Sequence, residues 1–512
     1  MTFAAGLAPF ALLLSLALPS MTQAASVVQV KQGVLAGRTV GAVSAFKNIP
    51  YAAPPTGERR WRPPTEPTSW RGERDATTYG AVCIQAPAPG DPGVGAGPMS
   101  EDCLNLNVWA PAARGSRSAP VMVWIHGGAL NNGSGTAGLY DGSALAEQGV
   151  VVVTLNYRLG RLGFFDHPAL ATERPAGEAA GNYGLMDVIA ALRWVRANIG
   201  AFGGDPGKVT VFGESAGGAL VTRLMISPPA QGLFHRAVVQ SGLGRERYAW
   251  LDHRGPKGEP SARERGEVFA HGAGLRTAAD LRAAPAEVFL TPAPTFANGD
   301  LTLIDGQVVP DRVETVFRAG RQSAVPLIIG TNSREFWWMR PTDLNGYGTA
   351  DDEMTWLERA EAAQAYGGLD GFDAQVVTDL IFAEPARHLA RLHARAGHRA
   401  WLYRFDISSP QNPEPHGGAT HAIERPYVFG TLNTLPYPVE DRDRRASDVM
   451  MGYWTAFARS GDPNGVGRPE WPMAGAEDIR LMNFGNAGPT ATPVPFGGRL
   501  DLLERFRERP RP

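Results

Sequence analysis

Ser215 stands between two glycines in the run Gly213-Glu214-Ser215-Ala216-Gly217. A serine hydroxyl is a poor nucleophile at neutral pH. It needs a base within hydrogen-bond reach and a carboxylate to orient that base. Glycines on both flanks permit a turn sharp enough to push the hydroxyl out of the backbone, a strained conformation that a Cβ at either position would crowd. The chemistry such a serine can do is acyl transfer. Glycine supplies 61 of the 512 residues, so chance alone can assemble the pentapeptide, and its surroundings must carry the argument.

In a nucleophile turn of this kind the acid and the histidine follow the serine along the chain. The histidines after Ser215 are His235, His253, His271, His388, His393, His398, His416 and His421, and position alone does not choose among them. Asp305 is one possible acid, although an Asp-Gly pair before a strand is more often a turn. A place for the developing negative charge is easier to find. His126-Gly127-Gly128-Ala129 directly follows the apolar run Val121–Ile125, and glycines there let backbone N–H groups come within hydrogen-bond distance of an oxyanion. His126 precedes the serine and is expected to shape that loop. Glu214 is expected to be structural or a weak electrostatic modulator, and Ser241 to support the catalytic group by a hydrogen bond.

These groups need a scaffold. Val121–Ile125, Val150–Leu155, Val209–Phe212, Ala237–Gln240 and Leu327–Ile329 are short apolar runs that read as strands. They alternate with helix-like segments. One runs from Asp187 to Ile199, with Val188, Ile189, Leu192, Val195 and Ile199 on one face. The pattern predicts an α/β fold with a mostly parallel central sheet covered on both faces. Ser215 falls on a strand-to-helix turn, the nucleophile elbow of an α/β-hydrolase fold. Residues 250–300 and 340–400 read as less regular helices that cap the sheet.

The chain is long enough for two domains. No linker, repeat or low-complexity run divides it, so residues 25–512 are expected to form one catalytic domain with insertions. The formal net charge is −2 and the basic residues are scattered, which argues against a nucleic-acid partner. Leu12–Leu18 is an apolar core too short to span a bilayer comfortably, and Thr22-Gln23-Ala24 offers small residues for cleavage. Residues 1–24 are therefore read as a signal peptide cleaved near Ala24 or Ala25. The basic residues that usually open such a segment are missing, and a retained membrane anchor is the alternative. Export makes a secreted or periplasmic location the expectation, without stable membrane insertion after signal removal. Cys83 and Cys103 are the two cysteines. A bridge between them would stabilise the fold by about 3 kcal/mol, and two buried thiols are the alternative.

Longer motifs make the reading specific. They include Phe46-Lys47-Asn48-Ile49-Pro50-Tyr51-Ala52-Ala53-Pro54-Pro55, Arg60-Trp61-Arg62-Pro63-Pro64 and Ser100-Glu101-Asp102-Cys103-Leu104-Asn105-Leu106-Asn107-Val108-Trp109. Asn156-Tyr157-Arg158-Leu159-Gly160, Gly181-Asn182-Tyr183-Gly184-Leu185-Met186-Asp187 and Ala201-Phe202-Gly203-Gly204-Asp205-Pro206 follow in order. With these motifs the chain resembles the type B carboxylesterase family, the cholinesterase-like carboxylesterases, from about residue 27 to 485. The resemblance implies Ser215 as nucleophile, Glu335 in Gly330-Thr331-Asn332-Ser333-Arg334-Glu335 as acid, and His421 in Gly418-Ala419-Thr420-His421 as base. It implies the backbone N–H groups of Gly128, Ala129 and Ala216 as oxyanion donors. It also implies a Cys83–Cys103 disulfide and an ion pair between Glu101 and Arg158. Two positions depart from the family pattern: Ala129 replaces a third glycine, and Phe336 replaces the glycine after the acid.

The expected reaction is two-step ester hydrolysis through an acyl-enzyme, on a small-molecule ester and with no metal or organic cofactor. An amidase or peptidase on the same fold, or a non-catalytic recognition domain, are the alternatives. Phe336, Trp337 and Trp338 suggest an aromatic wall beside the acid. Arg245 and Arg247 could receive a substrate carboxylate, although such arginines are more often solvated surface charges.

Overall fold

A computed structural model describes residues 23–86, 91–95, 97–113, 118–246, 248–290, 303–340, 354–412 and 417–508. Each apolar run read as a strand lies in one, the run from Val150 losing only its first residue. The strands are Ala119–Ile125, Val151–Leu155, Gly204–Glu214, Arg236–Gln240 and Leu327–Asn332. Together with Ala400–Asp406 and Arg480–Gly485 they form the parallel middle of a 13-stranded sheet. Across that middle the order is Val151–Leu155, Ala119–Ile125, Gly204–Glu214, Arg236–Gln240, Leu327–Asn332, Ala400–Asp406, Arg480–Gly485. Both margins are antiparallel, except that the short strand Glu73–Asp75 pairs parallel with Gly33–Val40. Gln23–Val30, Gly33–Val40, Val43–Pro50 and Asn105–Pro111 extend one side, and Gly488–Pro493 closes the other.

Side chains alternate between the two faces of a strand, and here both faces are covered. Val121, Val123 and Ile125 enter one core cluster while Met122 and Trp124 enter the other. Val209 and Val211 join the first and Phe212 the second. The fully buried Phe212 alone contributes about 1.5–3 kcal/mol of apolar burial. Tyr183–Asn198 and Ala216–Ile226 pack on the first face, and Asp441–Ser460 brings Met450, Trp454 and Phe457 to the second. The helix read over 187–199 starts earlier, at Tyr183. Tyr183, Leu185 and Met186 continue its buried face.

The expected cap contains Ala262–Gly272, Ala278–Ala283, Trp356–Ala365, Leu369–Thr378 and Glu384–Arg395. Reciprocal caps start three of these helices: Ser261 with Glu264, Thr277 with Asp280, and Thr355 with Glu358. A π-helical turn, Asp379–Ala383, joins the last two.

Cys83 and Cys103 form a disulfide. Among the described residues no helix is long and apolar enough to cross a membrane, and the apolar run Leu12–Leu18 lies outside them. The expected Glu101–Arg158 ion pair does not form. Arg158 instead grips the buried Asp187 through Nε at 2.8 Å and Nη2 at 2.7 Å, and Glu101 takes Arg60 at 2.5 Å. Asp187 offers both oxygens to the planar guanidinium, the two-pronged geometry that favours such pairs.

Candidate active site

Ser215 sits at φ +55°, ψ −122°, between the end of the strand Gly204–Glu214 and the start of the helix Ala216–Ile226. Such a backbone costs about 1–3 kcal/mol and persists only where the surroundings enforce it. The flanking glycines are required by space. A Cβ on Gly213 would lie 2.6 Å from the carbonyl carbon of Gly217, and one on Gly217 would lie 2.0 Å from the Ile125 oxygen. The turn is pinned by the Ser215 N–H, which donates to Gln240 O at 2.9 Å.

Residues far apart in the chain meet at this turn. Ser215 Oγ lies 2.9 Å from His421 Nε2. His421 Nδ1 lies 2.6 Å from Glu335 Oε2. Glu335 is fully buried, and its other oxygen accepts from Ser241 Oγ and from the Asn332 N–H, each at 2.7 Å. A hydroxyl facing imidazole, with the imidazole held from behind by a carboxylate, is the arrangement that makes a serine nucleophilic. Ser241 takes the supporting place expected of it. Asn332, Gln240 and Glu424 add a further layer. Asn332 Nδ2 donates to Glu424 Oε2 at 2.7 Å, and Gln240 Nε2 donates to Glu424 Oε1 at 3.0 Å.

The charges around His421 are unusually dense. Glu214 Oε1 lies 3.2 Å from His421 Nε2. Burial works against the charged imidazole, but Glu214 and Glu335 outweigh it and raise the His421 pKa. Burial also pushes the Glu214 carboxyl up to about 7. Glu424, buried beside Glu335, is raised as well. Tyr157 stacks on His126 with ring centroids 4.4 Å apart, and burial lowers the His126 pKa to about 4. His126 therefore belongs to the loop wall, and its Nδ1 lies 2.8 Å from Gly127 O.

That loop carries three consecutive left-handed residues, Gly128 at φ +103°, Ala129 at +53° and Leu130 at +58°. Only glycine fits at the first, because a Cβ would fall 2.2 Å from Asn132 O. Ala129, in the place of a third glycine, holds a conformation that costs an alanine about 1–2 kcal/mol. Among the described residues the N–H groups of Gly128 and Ala129 enter no backbone hydrogen bond of the loop, and Ala216 opens the helix Ala216–Ile226, where a first-turn N–H has no partner within the helix.

Among the described residues His421 alone reaches Ser215. His388 is held by Glu504 and Glu314, and His393 Nε2 lies 2.9 Å from Val325 O. His416 lies outside the described residues. Asp305 is a turn residue, accepting from the N–H groups of Gln307, Val308 and Val309. Phe336 meets the His421 ring in edge contact, centroids 4.5 Å apart, and Trp338 packs on Phe336 at 5.0 Å. Trp337 is half-buried and Trp338 exposed. Phe382, which no sequence signal marked, completes this wall at 5.2 Å from His421. It lies on the π-helical turn Asp379–Ala383, a feature found mostly as a single turn and often at functional sites.

Arg245 does not offer itself to a substrate. Its side chain is 4 % exposed and bound to Glu384 and, at 3.0 Å, to Glu314. Burying a guanidinium without partners is prohibitive, so the fold neutralises it internally. Arg247 lies outside the described residues.

A sequence profile of the carboxylesterase family matches residues 24–369 and 370–493. The chain is 37% identical over 474 residues to para-nitrobenzyl esterase of Bacillus subtilis (strain 168), covering 87% of this chain and 92% of that protein. It is 36% identical over 465 residues to fumonisin B1 esterase of Sphingopyxis macrogoltabida, covering 87% of this chain and 84% of that one. A solved PNB esterase structure superposes with a TM-score of 0.80 at 34% identity, over 93% of this chain and 99% of the other. The chain belongs to the carboxylesterase family and is a carboxylic-ester hydrolase.

Proposed function

We propose that ester hydrolysis runs through Ser215, His421 and Glu335 and a covalent acyl-enzyme. The observation that carries the reading is the continuous row from Ser215 Oγ to His421 Nε2 at 2.9 Å and from His421 Nδ1 to Glu335 Oε2 at 2.6 Å. His421 takes the Ser215 proton as the hydroxyl attacks the ester carbonyl. The N–H groups of Gly128, Ala129 and Ala216 receive the oxyanion. Protonated His421 then gives its proton to the leaving alcohol. Water, deprotonated by His421, attacks the acyl carbon, and His421 returns that proton to Ser215 Oγ as the acid leaves. Glu335 orients the imidazole and stabilises its charged form. Phe336, Trp337 and Trp338 line the approach as an aromatic wall.

The substrates are small-molecule esters. A p-nitrobenzyl ester is an apt first probe because the Bacillus subtilis relative is a para-nitrobenzyl esterase. We further propose that residues 1–24 are a signal peptide, that residues 25–512 form one catalytic domain, and that the mature protein is secreted or periplasmic. The Cys83–Cys103 disulfide supports this location, since such bonds persist in oxidising compartments.

A panel of p-nitrophenyl esters and matching p-nitroanilides, assayed with wild type and Ser215→Ala, tests the proposal. Esters are turned over and anilides are not. Ser215→Ala loses about a million-fold in kcat. Anilide turnover at comparable rates would favour the amidase alternative. Equal ester turnover by both proteins would remove Ser215 from the mechanism.

A further inference from the structure

A largely buried cation lies beside the reacting row without a part in the reaction just described. Arg425 opens the short helix Arg425–Phe429, and its side chain is 12 % exposed. Its Nε donates to Ala422 O at 2.9 Å. Its Nη1 donates to Tyr140 Oη at 2.8 Å and lies 3.9 Å from Glu214 Oε2. Two of these contacts lead to His421. Ala422 is the next residue, held at φ +69°, a left-handed conformation that alanine resists. Glu214 Oε1 is 3.2 Å from His421 Nε2, the nitrogen that faces Ser215.

The arrangement poses an electrostatic problem. Ser215 can pass its proton only to a neutral imidazole. An anionic Glu214 favours the imidazolium instead, because Nε2–H then faces a carboxylate. A guanidinium on the far side of Glu214 draws on the same carboxylate and lowers the proton affinity of Glu214 and His421 together. The other charges are fixed on several elements. Glu335 faces His421 Nδ1, and Glu424 stands on the turn that carries the imidazole. Tyr140, Asp91, Glu214 and Glu424 surround Arg425 itself.

We propose that Arg425 is a positioning residue of this site. It holds the His421 turn through the Ala422 carbonyl and keeps Glu214 from capturing the imidazole proton. The proposal rests on the Ser215–His421–Glu335 reading. Removing the cation raises the proton affinity of both neighbours, so the acid limb of activity moves to higher pH. A purely structural Arg425 would alter stability and leave that limb in place.

The test is the pH profile of kcat/KM on p-nitrophenyl acetate for wild type, Arg425→Met, Arg425→Lys and Glu214→Gln/Arg425→Met, each beside Glu214→Gln and Ser215→Ala. Arg425→Met moves the acid limb upward by about one unit. Arg425→Lys restores its midpoint. In the Glu214→Gln background the same methionine substitution moves it less than half as far. Arg425→Gln, neutral yet still a donor, gives the same shift should Arg425→Met not fold. A limb that coincides with wild type in the neutral variants, or a shift undiminished by Glu214→Gln, overturns the proposal. Activity surviving in Ser215→Ala would instead sink the underlying triad reading, whatever Arg425 does.

Discussion

Ser215 owes its geometry to its neighbours more than to itself. Gly213 and Gly217 have no room for a Cβ, and the left-handed serine between them points its hydroxyl at His421. Ser241 shows how much the second layer contributes. Its hydroxyl donates to Glu335 Oε1 at 2.7 Å, and a hydrogen bond to a charged group contributes about 1.5–3 kcal/mol. Ser241→Ala should therefore lower kcat by about tenfold or more while KM stays near wild type, in steady-state assays on a p-nitrophenyl ester. The residues that sequence alone could name sit in local motifs: Ser215 on its turn, Gly128 after an apolar strand, and His421 and Glu335 in family patterns. Arg245 was legible only as a cation. Its partners Glu314 and Glu384 lie far along the chain and arrive through tertiary packing. Phe382 carries no motif of its own, and only the folded backbone brings it to His421. Arg425 stands four residues after His421 in the same run, but its contacts with Tyr140 and Glu214 come from the fold.

The C-terminal helix Gly497–Glu508 is bound to the cap by charge and buttresses the wall beside His421. Glu504 takes Arg387 at 3.0 Å, Arg391 at 2.7 Å and His388 Nδ1 at 2.8 Å. Leu502, Leu503 and Phe506 share a core cluster with Phe382, and Phe336 packs against it. Burial would raise the Glu504 carboxyl, but His388 and the arginines outweigh it and hold it down at about 2. A depressed carboxylate stabilises the fold above its unfolded value of about 4.3. That stability drains away as the pH falls through its folded value. His388 is raised, so its contribution is present below about 6.5 and is lost as pH rises through the folded value. Glu504→Gln leaves buried cations short of a partner. It should cost about 2–4 kcal/mol near pH 6, with the deficit shrinking toward pH 2. Denaturant unfolding across that range measures it.

At the scale of the whole molecule, the sheet explains why distant residues converge. Ala119–Ile125, Gly204–Glu214, Arg236–Gln240 and Leu327–Asn332 are consecutive parallel neighbours. Their carboxyl ends lead in turn to Gly128, Ser215, Ser241 and Glu335. Ligand sites in open α/β sheets lie at that end of the strands, and the alternation of short apolar runs with helices announced this architecture before any coordinate. The ion pairs that lock it, such as Arg158 with Asp187 and Arg60 with Glu101, were not legible, since charge type alone does not choose a partner. The central claim is that one serine carries the acyl group. A fluorophosphonate probe, followed by peptide mapping and parallel ester turnover, tests it most directly. The account predicts modification of Ser215 alone, with turnover lost in proportion to labelling. Labelling of a different residue, or full turnover from protein fully modified at Ser215, would contradict it.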